Sequence, residues 1–385
     1  MNAARPLDAS GGSDAGGDSG PQQEAARQNG SATLPMLPMH NVFEGLADPP
    51  VRDLAWLLFS ADLLRAQPPL APLAQCCADA EELRATLDWL AQLDRDPARL
   101  HAALAAAPTN RLGRYAENLL GWFLAHGPAA KLVAQNVPLR RAGVTLGECD
   151  FLVRTRAGER LHWELAVKCY LHAGAGDGER ASLADFVGPN LRDRLDLKLT
   201  HLRDHQLRLT ARGEFASLGH GGPWRAQMFV KGWLFYPAGA MAQSRVEDAP
   251  ELAADHGRGW WVTRSAWPAF AQGEAAAGWS VLPRLAWLAP RRLTGEPSGP
   301  EDSAVAASTA VASPADPATL IDTLVRPHDP VLVAAFKADA AGGYREQSRG
   351  FIVPDDWPAR AAAFSRQRVA RLSDAGSLAH HQRQK

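Results

Sequence analysis

The sequence predicts a mixed α/β (α+β) fold built around one sheet. Three observations carry this. Helix-period apolar residues recur from Asp48 to Phe123. Three consecutive strand-like runs follow between Lys131 and His172. A long helix-period segment and one more strand-like run then close the unit at Tyr236.

Residues 1–39 are rich in Gly, Ser, Ala, Asp and Gln with almost no aromatics. Such a segment cannot bury enough apolar surface to offset its ordering entropy, so disorder is expected. Residues 40–110 read as a helical region. Val51, Leu54, Leu57, Leu58 and Leu64 stand near helical spacing behind Asp48 and two prolines, a start signal. From about Asn110 a further helix carries Leu112, Tyr115, Leu119, Trp122 and Phe123 as an apolar stripe, with Glu117 in its middle. Strands are expected over Lys131–Arg140, Thr145–Thr155 and Arg160–His172, with Gly158 in the turn between the last two. A long helix over about Asn190–Leu209 comes next, opened by a capping-like Asn190 and Asp193, and then a strand over Ala226–Tyr236. The core with its extension spans 111–295. Residues 296–318 read as a linker or insertion, and 319–385 as a C-terminal extension with some strands and an exposed tail.

Apolar residues make up 46% of the 385, enough for a sizeable core. Lys and Arg total 41 against 42 acids, a net charge of −1, so the whole chain carries no electrostatic footprint for nucleic acid. Cys76, Cys77, Cys149 and Cys169 show no disulfide or zinc spacing and read as reduced core thiols. The N-terminus has no apolar signal core, and no run approaches the roughly 18 apolar residues of a membrane span. A cytoplasmic location without membrane contact is the expectation.

Strand alternation singles out one constellation. In the third strand, Leu161, Trp163, Leu165, Val167, Cys169 and Leu171 point one way; His162, Glu164, Ala166, Lys168 and Tyr170 point the other. In the second, Glu148 and Asp150 are expected to share a face with Leu152, and Cys149 to share one with Phe151 and Val153. Paired as a hairpin, these strands would set Asp150 beside Glu164. Two carboxylates brought together repel, and a divalent cation such as Mg²⁺ resolves the repulsion. A hairpin with one wet face shows the same alternation.

Other signals are weaker. His201 and His205 are four apart on a helix but lack the H-E-x-x-H pattern. Gly174, Gly176 and Gly178 are followed by Glu179 where a dinucleotide loop needs glycine. Neither a P-loop nor G-x-S-x-G is present. Trp224, Trp233, Trp260, Trp261, Trp267 and Trp287 could stack bases, but such residues more often fill a core.

The stretches VRDLAWLLFSADLL, LGRYAENLLGWFL, TLGECDFLV, HWELAVKCYL, FVGPNLRDRLDLKL, KGWLFY and RGFIVPDDWP resemble a bacterial family known as domain of unknown function 1853. The segment order also resembles the PD-(D/E)XK nuclease superfamily, which implies a restriction-endonuclease-like αβββαβ core between a helical N-terminal region and C-terminal β additions. The resemblance implies that Asp150 and Glu164 hold Mg²⁺ or Mn²⁺, with Glu148 as a further ligand. It makes Glu117 the acid on the first helix and Gln206 the glutamine facing the site from the later one. The superfamily's lysine would stand two residues past the second acid, where this chain has Ala166. Lys168 lies on the same face, roughly 13 Å from Glu164 along the strand at about 3.3 Å per residue; Lys198 is another candidate. Metal-dependent hydrolysis of phosphodiester bonds in DNA or RNA is the implied activity. The alternative is a nuclease-fold protein without catalysis that binds nucleic acid or protein.

Overall fold

The computed structural model describes residues 42, 45–66, 72–173, 180–238, 247–293, 308–324, 328–340 and 342–367. The expected disorder of residues 1–39, the three glycines at 174–178 and most of the exposed tail lie outside these residues.

Helix α1 (Pro49–Phe59) starts where Asp48 accepts a bond from the Val51 amide at 3.0 Å, with prolines in its first turn. Helix α2 (Ala80–Arg95) is capped reciprocally. Asp79 accepts from Glu82 N, and the Glu82 carboxylate accepts from Ala78 N, both at 2.8 Å. After α3 (Ala98–Ala106) comes α4 (Leu112–His126), which buries Tyr115, Leu119, Leu120, Phe123 and Leu124.

The next elements are β1 (Lys131–Arg141), β2 (Val144–Arg154), β3 (Arg160–His172), the short β4 (Phe186–Val187), α5 (Leu195–Asp204), α6 (Gly213–Ala216) and β5 (Arg225–Pro237). Helix, three antiparallel strands, helix and a strand parallel to the third is therefore the observed order. The chain continues with β6 (Gly257–Thr263), α7 (Trp267–Gly273), β7 (Gly278–Val281), β8 (Arg292–Leu293), α8 (Pro317–Thr323), β9 (Val331–Ala338), β10 (Tyr344–Val353) and α9 (Trp357–Ser365). The ten strands among the described residues join one mixed sheet, ordered β1-β2-β3-β5-β6-β10-β9-β7, with β4 beside β3 and β8 beside β10.

The alternation read in β3 is realised. Leu161, Trp163, Leu165, Val167, Cys169 and Leu171 join the core under α1, α2 and α4, while Ala166 and Tyr170 pack under Leu195, Leu199 and Leu202 of α5. In β2 it is not. Phe151 and Val153 lie in the first core, but Cys149 sits with Leu152 in a separate cluster with Leu139 and Leu209. The paired strands both switch faces here, because Asn136 of β1 adopts a left-handed backbone (φ 52°) opposite the Asp150 region.

The helix expected over Asn190–Leu209 is also shorter. Leu191 has φ 54°, regular helix begins only at Leu195, and it breaks at His205. Gln206–Ala211 continues as a 3₁₀ turn, so the residues past the break are re-aimed.

The segment after α1 covers the otherwise open part of β5. Leu63 N bonds Val230 O at 2.8 Å, and Ala74 N bonds Met228 O at 2.8 Å. The carboxylate of Asp53 in α1, fully buried, receives Arg291 (2.9 and 3.0 Å), Tyr115 (3.0 Å) and the Ala289 amide (3.0 Å).

Candidate functional site

Strands β2 and β3 pair only from Phe151↔Trp163 to Arg154↔Arg160, then part. Beyond that point β2 keeps β1 and β3 keeps β5 as partners. Asp150 and Glu164 are the first residues past the last pair, at the apex of the fork. Each satisfies backbone left open by it. Asp150 Oδ2 accepts from the Leu165 amide at 2.9 Å, where a ladder carbonyl would otherwise stand, and Glu164 Oε1 lies 3.4 Å from the Asp150 amide.

The fully buried Glu164 is held from two sides. His162 Nε2 lies 2.7 Å from Oε1, and Gln206 Nε2 donates to Oε2 at 2.6 Å. Gln206 Oε1 in turn accepts from Lys198 Nζ at 2.9 Å. A chain therefore runs from ammonium to amide to carboxylate to imidazole. Burial drives the protonation states. It pushes Glu164 up to about 8, and burial with the Glu164 charge pushes Asp150 up to about 7. Burial lowers His162 to about 4, so the imidazole is neutral and must carry its proton on Nε2 to donate to an ionised Glu164. Lys198 is lowered by burial and by the Lys168 charge.

Cys149 Sγ, a His162 nitrogen and a Glu164 oxygen lie within 4.8 Å of one another. Burial, then the Glu164 and Asp150 charges, raise the thiol to about 12, so without a metal it stays protonated.

The other residues singled out from sequence are arranged around this centre. Glu117 on α4 bonds Arg114 at 2.7 Å, and its acidity is weakened by burial and then by Asp150, with Glu148 adding to it; these three acids feel one another. Glu148 itself is exposed on β2. Lys168 turns away from the acids to Asp193, whose Oδ2 also accepts from Tyr170 OH at 3.0 Å. The lysine linked to the acids is Lys198. His162 and Cys149 were not singled out. His162 was legible as the residue two before Glu164 on the same face, whereas Cys149 was hidden by the face switch.

The histidine pair His201 and His205 forms a ring stack with centroids 4.9 Å apart. Trp261, Trp267 and Trp287 are buried in the core. All four cysteines are free. Among the described residues no helix is long and apolar enough to cross a membrane.

Fold and site together define a mixed α/β protein with a carboxylate pair at a sheet fork, one member fully buried and wired through a glutamine to a lysine. The chain belongs to the family described as domain of unknown function (DUF1853), which matches residues 52–353. No curated protein and no solved structure matches it.

Proposed function

We propose that this chain is a metal-dependent phosphodiesterase acting on nucleic acid, built on a PD-(D/E)XK-like core. The observation that carries the reading is the meeting of Asp150 and Glu164 at the fork with Lys198 of α5 and Gln206 of the 3₁₀ turn that follows it. Two carboxylates with raised pKa values, Glu164 fully buried and Asp150 partly so, each bonded to backbone amides at the fork, suit a hard divalent cation. Mg²⁺ and Mn²⁺ favour such oxygen donors and keep waters for phosphate chemistry. The Cys149–His162–Glu164 trio is no argument for Mg²⁺, because thiolate and imidazole suit softer ions.

Asp150 and Glu164 would hold the ion, with Glu117, which interacts electrostatically with Asp150 and Glu148, and Glu148 itself acting through its waters. When bound, the ion would polarise a phosphoryl oxygen and acidify a water. The protein's own groups do the rest. Lys198 stabilises the negative charge that builds on the phosphoryl oxygens, a task for which Lys168 is the first candidate by strand position. Gln206 fixes the Lys198 ammonium relative to Glu164. His162 fixes the Glu164 carboxylate from behind, as outer partners do for ligands.

The test is to offer the purified chain single-stranded, duplex and branched DNA and RNA with Mg²⁺ or Mn²⁺. Cleavage is expected, and Asp150→Ala should abolish it; cleavage that survives this change removes the assignment. Calorimetric titration of Mn²⁺ separates the non-catalytic alternative, which predicts no site that depends on Asp150 and Glu164.

A further inference from the structure

Where β3 has lost β2 as a neighbour, a cavity of about 490 Å³ opens along its edge. The start of α4, Lys168 and Tyr170 of β3 and the Gly188–Asp193 loop enclose it, with Arg284 and Trp287 on the far side. Three arginines reach it from three separate parts of the chain: Arg111, Arg192 and Arg284. All three are exposed, and among the described residues no carboxylate pairs with them. Arg284 lies over the Trp287 ring at 4.6 Å. Asp193 is the one acid on the wall, and Lys168 neutralises it. The wall thus carries four cations against one anion, on a chain whose overall charge is −1. The concentration of positive charge is local and marks an anion site.

The cavity and the fork both lie along β3, and Lys198 links their charges. Lys198 interacts electrostatically with Asp150 and Glu164 on one side and with Lys168 and Asp193 on the other. Along β3, Glu164 and Lys168 are about 13 Å apart at 3.3 Å per residue. A cavity of 490 Å³ is the size that takes one drug-sized ligand, hence one or two nucleotides of a single strand but not a duplex.

We propose that this cavity holds the phosphates of a single nucleic-acid strand a few nucleotides from the fork, gripped by Arg111, Arg192 and Arg284. The proposal rests on the phosphodiesterase reading for its choice of ligand. It names the substrate class as single-stranded and gives the three arginines the task of positioning it. Guanidinium groups suit this because they meet phosphate oxygens in a two-pronged fork.

The test uses the full chain in EDTA, where no cleavage occurs, with a fluorescein-labelled dT20 strand and a 20-base-pair duplex read by anisotropy. The strand should bind more tightly than the duplex. Replacing Arg111, Arg192 and Arg284 together by Ala should weaken strand binding at least tenfold. It should also flatten the dependence of log K on log salt by about two, since each phosphate contact on a single strand contributes roughly 0.7. The triple Lys variant should recover most of the affinity, which excludes misfolding as the cause. Asp150→Asn with Glu164→Gln should still bind, so loss of cleavage and loss of the cavity's role are read apart. Unchanged affinity in the Ala variant would overturn the proposal. So would equal binding of duplex, or competition by polyglutamate as effective as that by unlabelled strand.

Discussion

At the scale of single residues, Asp150 and Glu164 are acids kept from ionising. Their folded values, about 7 and about 8, stand above the roughly 4 of an unfolded chain. Between those limits the folded state holds protons that the unfolded state releases, so their contribution to stability falls as pH rises from about 4 to about 8. Asp150→Asn and Glu164→Gln should therefore stabilise the metal-free protein at pH 8 by a few kcal/mol each, on the order of 1.4 per pKa unit, and by little at pH 4. Urea denaturation at the two pH values measures this, and an equal gain at both would contradict the burial argument. A metal held by this pair, as proposed, would have to displace the same protons, so Mn²⁺ affinity should rise steeply from pH 6 to pH 8.5. The two lysines should also separate. Lys198→Ala should lower kcat by about a hundredfold, in the range found for removing one charge-stabilising group, whereas Lys168→Ala should leave kcat nearly intact, because its partner is Asp193. The reverse ranking would restore the strand lysine to the centre.

At the scale of elements, the site exists because two strands part, and backbone geometry sets where. On one side of β3, Asn136 turns the β1–β2 ribbon with φ 52°. Asn tolerates this and β-branched residues do not, so Asn136→Val should cost about 1–2 kcal/mol and Asn136→Gly far less. On the other side, β5 approaches β3 very closely at Gly232, the register partner of Lys168. Its φ is +149°, and a Cβ there would lie 1.7 Å from the Lys168 carbonyl oxygen. Gly232→Ala must push the strands apart at the residues leading from fork to cavity. A loss of about 3 kcal/mol or more is expected, read as a lower urea midpoint; a midpoint within experimental error of the parent would show that the ladder can shift at little cost.

At the scale of the whole molecule, α1 near the N-terminal side and strands β9 and β10 are structural members of the same body as the central strands. β10 pairs with β6 on one side and β9 on the other, so the C-terminal extension lies inside the sheet. Asp53 of α1 and Arg291 ahead of β8 form a buried pair across 238 residues of sequence. Removing one partner leaves a charge without compensation in the interior, so Asp53→Ala should cost about 3–5 kcal/mol, measurable by chemical denaturation. A cost under 1 kcal/mol would mean that the N-terminal helices are only loosely attached.

The sequence by itself determined the order of elements, the two faces of β3 and the placing of Gln206 as a polar residue beside an otherwise buried line. Those features follow from local periodicity, which each segment carries within itself. Tertiary structure decided the face of Cys149, the length of α5, the choice between Lys168 and Lys198, and the gathering of Arg111, Arg192 and Arg284. Each of these depends on a strand irregularity, a helix break or a crossover that brings distant segments together. Period-2 and period-3.6 patterns hold no record of such events, because one residue in a left-handed conformation reverses every face that follows it.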